Sequence, residues 1–157
     1  LANASGFQST QFRELEFLLG VKDRIQLGEV GGPEGDRLRV RYEAPTLWDA
    51  FLHLLNRTGY DLPITALERD VRGAIAEDED VQTAIVECYN DPGFAGLCET
   101  LTDLDEGVQE WRYRHVMMVR RTIGTNMGTG GSDGAAYLAT TLFRPAFPDL
   151  WAIRARF

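Results

Sequence analysis

Two histidines, His53 and His115, are the only imidazoles among 157 residues, and Lys22 is the only lysine. Any histidine-dependent site must use one of those two rings, and Schiff-base or Walker-lysine chemistry has a single possible carrier. His115 stands in the run Trp111-Arg112-Tyr113-Arg114-His115-Val116-Met117-Met118-Val119, with Trp111 one turn before it and Met118 one turn after. On a helix that spacing turns His115 toward the interior. A neutral imidazole there needs a partner for each nitrogen, and a metal can be one of them. A helix-borne histidine among apolar side chains is one common way to hold haem iron from one side. On spacing alone, the commoner case is a core histidine satisfied by other protein groups. His53 lies between Phe51-Leu52 and Leu54-Leu55 and reads as partly exposed.

The segment from Gly124 to Gly134 carries five glycines in eleven positions and is the second candidate. Glycines let backbone amides approach a ligand, and a loop feeding a helix N-terminus suits a carboxylate or a haem propionate. The plainer reading is a flexible linker. A dinucleotide loop is disfavoured, because Asp133 occupies the last glycine position of a G-x-G-x-x-G begun at Gly128 and no strand precedes it. Thr129, flanked by Gly128 and Gly130, comes fourteen residues after His115, so the chain can turn back over the same pocket. Arg120 and Arg121 either neutralise an anionic group or complement the end of a helix dipole. Cys88 and Cys98 are ten positions apart, form no CxxC or Cys/His cluster, and read as reduced thiols in a cytosolic setting. No Ser-His-Asp or paired-carboxylate pattern points to hydrolysis.

The elements that must position these groups read as helices. Ser5-Gly6-Phe7-Gln8 has the form of a capping box, and Phe12, Leu15, Leu18 and Leu19 continue at helical spacing to Gly20. Residues 28–37, with four glycines and a proline, read as an exposed loop, and the alternation through Leu38, Val40 and Tyr42 as loop or extended chain. Thr46 is placed to cap a helix burying Leu47, Trp48, Phe51, Leu54 and Leu55 and ending near Gly59. Shorter helical patterns cover about 65–76 and 79–89, the latter opening on an acidic first turn. After the break at Asn90-Asp91-Pro92-Gly93, the residues Phe94, Leu97, Leu101, Leu104, Val108, Trp111, His115, Met118 and Thr122 recur in alternating steps of three and four. They predict one inward seam on a helix of about 45 Å, running from about 94 to 123. A short helix is expected from about Ala135 to Phe143, and an arginine- and aromatic-rich tail closes the chain.

The composition, 44% apolar and 25% charged, is that of one domain or part of one, able to bury a core without disulfides. A net charge of -8 and an isoelectric point near 4.7 argue against nucleic acid and anionic membrane as partners. No apolar run reaches membrane-spanning length, and no signal peptide opens the chain. The first residue is Leu1 rather than Met, which fits a piece of a longer polypeptide.

Two longer motifs are specific enough to name a family. Ala4-Ser5-Gly6-Phe7-Gln8-Ser9-Thr10-Gln11-Phe12, together with Trp111 to Gly124 and Gly128-Thr129-Gly130-Gly131-Ser132, resembles bacterial tryptophan 2,3-dioxygenase. The likeness is dense over about 1–19 and 101–138, and weaker between. It implies an all-α helical bundle with one long haem-bearing helix, about 94–123, as part of a larger all-helical haem dioxygenase fold. It further implies haem b, and insertion of O2 into the indole C2–C3 bond of L-tryptophan to give N-formylkynurenine, in the kynurenine pathway.

By the same resemblance, His115 matches the proximal haem ligand. Thr129 matches the residue at the amino-acid end of the substrate, with Gly128 and Gly130 beside it, and Ser5 matches a serine near the distal pocket. Arg121 matches a basic position on the proximal helix, and Trp111 is assigned to packing on the proximal side from its seam position. The family's carboxylate-clamping arginine and distal histidine fall before the part matching Leu1. Residues 1–157 are therefore expected to be the C-terminal part of a single haem-binding domain in a cytoplasmic homotetramer. Two other readings are a haem-dependent aromatic monooxygenase on the same scaffold and a non-catalytic helical interaction module.

Overall fold

The computed structural model describes residues 10–22, 31–124 and 142–157. Every regular element among them is helical: α1 (Thr10–Leu18), α2 (Gly32–Glu43), α3 (Leu47–Arg57), α4 (Ile64–Leu67), α5 (Glu79–Cys88), α6 (Pro92–Ile123), α7 (Pro148–Ala152) and a closing 3-10 turn, Ile153–Arg156. The all-α expectation holds. Contacts divide the chain into two units, one built from Thr10–Thr102 and Ala146–Phe157, the other containing Asp103–Pro145.

In the first unit, α1 buries Phe17 and stops at Gly20, whose φ of +89° only glycine adopts without strain. An added Cβ there would sit 2.5 Å from Ile75 Cδ1. The segment read as loop and extended chain is instead α2. Pro33 pre-sets its first turn, Glu34 favours the positive end of the dipole, and Leu38 is fully buried. Tertiary contacts then overrule the weak propensity of its glycines. Arg37 donates to Glu14 of α1 at 2.7 Å, Tyr42 meets Phe17 edge-on, and the buried Lys22 ammonium donates to the carbonyls of Tyr42 and Ala44 at 2.5 and 2.9 Å. Those two carbonyls end α2 without intrahelical partners, so the lysine acts as its C-terminal cap.

Thr46 caps α3 as expected, in a reciprocal box with Asp49: the Asp49 amide donates to Thr46 Oγ1, and the Thr46 amide donates to Asp49 Oδ2. Arg69 closes the same group by donating from Nε to Asp49 Oδ1 at 2.6 Å and from Nη2 to Oδ2 at 3.1 Å. Trp48, Phe51, Leu52 and Leu55 are buried, His53 is exposed, and Trp48 stacks on Phe147 at 5.6 Å. The expected helix over 65–76 shrinks to the single turn α4, because Arg69 leaves the helical path to reach Asp49 and the carbonyl of Gly73.

Asp78 caps α5 by accepting from the amides of Asp80 and Val81. The closing segment is tied to it. Asp149, on α7, is buried and accepts at one oxygen from the Asp78 amide and Gln82 Nε2 at 2.9 and 3.0 Å. Arg154 reaches Glu99 and Thr102 at 2.9 and 3.0 Å, and Tyr89 donates to Glu99 at 2.7 Å.

Helix α6 is unbroken, as the spacing required, but its buried stripe is not the expected seam. Cys98, Leu101, Thr102, Asp105, Val108, Arg112 and Val116 are buried. Leu104, Trp111 and Met118 are exposed, and His115 is half-buried. At 100° per residue the buried stripe is rotated by about a quarter turn from the apolar seam. The reason is chemical: Asp105 and Arg112 belong to the buried side, and a count of apolar residues alone passes over them. The expected helix over 135–143 lies almost wholly outside the described residues, and its last two positions, Leu142 and Phe143, form a turn.

Candidate functional site

The second unit carries the histidine. His115 lies in the last third of α6, and its ring is stacked on Trp111 one turn earlier, with centroids 5.2 Å apart and planes 5° from parallel. An i, i+4 pair on a helix places two flat rings within reach, and the stack restricts the imidazole's rotation. Trp111 was expected in the interior. It is exposed, and its packing role is carried by the imidazole face rather than by a buried seam. Burial lowers the His115 pKa below its ordinary value, so the ring is neutral at pH 7 and keeps a nitrogen lone pair.

The described side chains along the ring's face of α6 are apolar. Leu104, Trp111 and Met118 share its face of α6 at seven-residue intervals or close to them, and all are large exposed hydrophobics. Beside them, the buried Arg112 donates from Nη1 to the carbonyl of Arg144 at 3.1 Å, which holds the returning chain against the helix. Spacing did not single out this arginine, and a charged residue between two aromatics on a helix carries no pattern that would. Arg114 pairs with Glu110 at solvent, an i, i+4 contact of small energetic weight. A shallow depression of about 220 Å³ lined by Glu106, Gln109, Glu110, Tyr113, Leu142 and Phe143 is on the opposite side of α6 from His115, so it is no part of the histidine's surroundings.

Arg121 is exposed in the last turn of α6. Six residues beyond His115, its Cα is about 120° around the axis and about 9 Å along it, so the helix does not set the two side by side. Ser5, Gly128, Thr129 and Gly130 lie outside the described residues. Among the described residues no three His, Cys, Asp or Glu side chains gather in a metal-binding cluster. A site built here would therefore need a metal that brings most of its own ligands and asks the protein for a single nitrogen.

The family model for tryptophan 2,3-dioxygenase matches residues 80–157, the stretch that contains all of α6 and His115. The chain is 54% identical over 157 residues to the tryptophan 2,3-dioxygenase of Herpetosiphon aurantiacus, an alignment covering 99% of this chain and 60% of that protein. Over nearly its whole length the chain is similar to tryptophan 2,3-dioxygenases. The tryptophan 2,3-dioxygenase of Anaeromyxobacter sp. (strain K) is 52% identical, with 98% of this chain and 59% of that protein aligned. For that of Caulobacter vibrioides the values are 43%, 99% and 62%. The chain thus spans about 60% of the length of these curated relatives.

The residues around His115 fit the haem that this similarity implies. A porphyrin brings four nitrogens of its own and would ask the protein for a single donor, which one neutral imidazole could supply. The exposed Leu104, Trp111 and Met118 give that ligand an apolar flank of the kind a porphyrin face covers.

Proposed function

We propose that the complete protein is a haem-dependent tryptophan 2,3-dioxygenase, inserting both atoms of O2 across the indole C2–C3 bond of L-tryptophan to give N-formylkynurenine. The observation that carries the proposal is the 54% identity to a curated tryptophan 2,3-dioxygenase across 99% of this chain. A haem b bound at His115 would supply the oxygen activation. The chain's own residues supply position. His115 offers a neutral nitrogen, Trp111 fixes the plane of its ring, and Arg112 holds the chain segment at Arg144 against the helix that bears them.

Thr129, with the amides of Gly128 and Gly130, binds the amino-acid end of the substrate in this reading, Ser5 lines the distal side, and Arg121 stands as a basic group near the proximal helix end. These roles rest on the family resemblance. Residues 1–157 then form the C-terminal part of one haem-binding domain in a cytoplasmic homotetramer, and the N-terminal part of the subunit supplies the remaining distal groups. None of the described helices is long and apolar enough to cross a membrane.

The test is a visible spectrum and a product mass on the protein purified with its native partner segment. A Soret band that disappears in His115→Ala, together with a product retaining two oxygen atoms from 18O2, is the expected result. A product with one such atom would make the protein a monooxygenase. A Soret band unchanged in His115→Ala would remove His115 as the ligand.

A further inference from the structure

The best-formed reactive pair outside the histidine site joins the end of α5 to the start of α6. Cys88 is the last residue of α5 and Cys98 lies in the second turn of α6, with a three-residue link, Tyr89 to Asp91, between the helices. Both thiols are fully buried, and their sulfurs are 3.7 Å apart in an S–H···S contact. We propose that Cys88 and Cys98 are an oxidisable dithiol that closes to an intramolecular disulfide when a peroxide reaches it.

The geometry makes closure a local event. A disulfide needs a sulfur separation near 2.05 Å, so the two atoms must approach by about 1.7 Å, within the reach of small side-chain rotations. The contact is symmetric, since either sulfur can donate, so whichever thiol ionises is stabilised by the S–H of the other. That thiolate attacks one peroxide oxygen and breaks the O–O bond, giving a sulfenic acid and hydroxide. The second sulfur then displaces the sulfenic hydroxyl, and its proton leaves with that oxygen as water. Two thiols and one hydrogen peroxide become one disulfide and two waters, so atoms and electrons balance.

The link would tie α5 to the helix that bears His115, beneath the point where Arg154 clips the closing turn to Glu99 and Thr102. Full burial of both sulfurs makes the reaction wait on local opening, so its rate should rise with temperature and mild denaturant.

The experiment treats the purified protein with hydrogen peroxide, denatures it in an alkylating agent, and maps the peptides. Trypsin leaves both cysteines in the single peptide 73–112, so chymotrypsin, which cuts after Tyr89 and Phe94, is the protease that separates them. The expected result is a Cys88–Cys98 crosslinked pair in a monomeric chain, reversed by dithiothreitol, with a Tm raised by about 5–10 °C for a closed loop of this size. Cys98→Ser and Cys88→Ser should each instead leave a sulfenic acid at the remaining cysteine that a dimedone probe captures. Complete alkylation of both cysteines after peroxide treatment, separate oxidation of each to sulfinic acid, or a disulfide between copies would each overturn the proposal.

Discussion

Replacing Asp49 by alanine should be among the most damaging single changes in the described part of the chain. The Asp49 side chain is 5% exposed and that of Arg69 15%, and the two are joined at 2.6 Å. The same carboxylate accepts from the amide and hydroxyl of Thr46 at 2.6 and 2.7 Å. Removing one partner of a buried ion pair costs about 3–5 kcal/mol, mainly because the other charge is left desolvated and unpaired. Loss of the α3 capping box adds about 1 kcal/mol. A total near 4–6 kcal/mol corresponds to a fall in Tm of about 8–24 °C for a chain of this size.

Thermal unfolding followed by far-UV circular dichroism measures that fall directly. The reasoning also fixes how Arg69→Met behaves. Because each single variant strands the other charge, the double variant should be less destabilised than the sum of the two, by about 2 kcal/mol. Strict additivity, or a fall in Tm of under about 3 °C for Asp49→Ala, would show that water solvates the pair and that it contributes as an exposed one does. The pH dependence has a definite sign. Burial pushes the Asp49 carboxyl up, but the hydrogen bonds from Arg69 and Thr46 outweigh it and hold the carboxyl below the ordinary range. The stabilisation is therefore complete above the unfolded value of about 3.9 and is lost as the pH falls through the lowered folded value. The gap between wild type and Asp49→Asn should close over that acid window.

Variants at two further positions probe the packing around α1 and α7. Gly20→Ala forces a left-handed backbone on alanine and drives its Cβ into Ile75, and should cost about 2–3 kcal/mol, read as a drop in Tm. Asp149→Asn keeps the acceptor used by Asp78 and Gln82, whereas Asp149→Ala strands both donors and should cost about 2 kcal/mol. Burial raises the Asp149 carboxyl above the ordinary range, so the folded state binds its proton more tightly than the unfolded state does. The wild type should therefore lose stability relative to Asp149→Asn as the pH rises from about 4 through that raised value. A difference between these two proteins that is constant from pH 4 to 8 would refute the assignment.

The parts of the fold that were legible in the sequence are those fixed by local chemistry. Thr46 announces α3, an acidic first turn announces α5, and the steps of three and four require the unbroken α6. What was not legible depends on partners far along the chain. Nothing within residues 31–43 reveals that Glu14 will pair with Arg37, or that Lys22 will cap the carbonyls of Tyr42 and Ala44. The rotation of the buried stripe on α6 had the same origin, since Asp105 and Arg112 enter the interior with their hydrogen bonds. At the candidate site, the pairing of Trp111 with His115 followed from helical spacing, but the exposure of the tryptophan did not. The contact between Cys88 and Cys98 depends on how two helices meet across a short link, which a ten-residue separation does not fix.

The solitary lysine has a practical consequence. Because Lys22 is 2% exposed and both of its bonds hold the end of α2, residues 1–157 offer no surface lysine side chain to acylating reagents, crosslinkers or conjugating enzymes. Its side chain becomes reactive only when the α1–α2 segment opens. The rate at which that side chain is acylated is therefore a clock for local opening, readable as a mass increment on the peptide that carries Lys22.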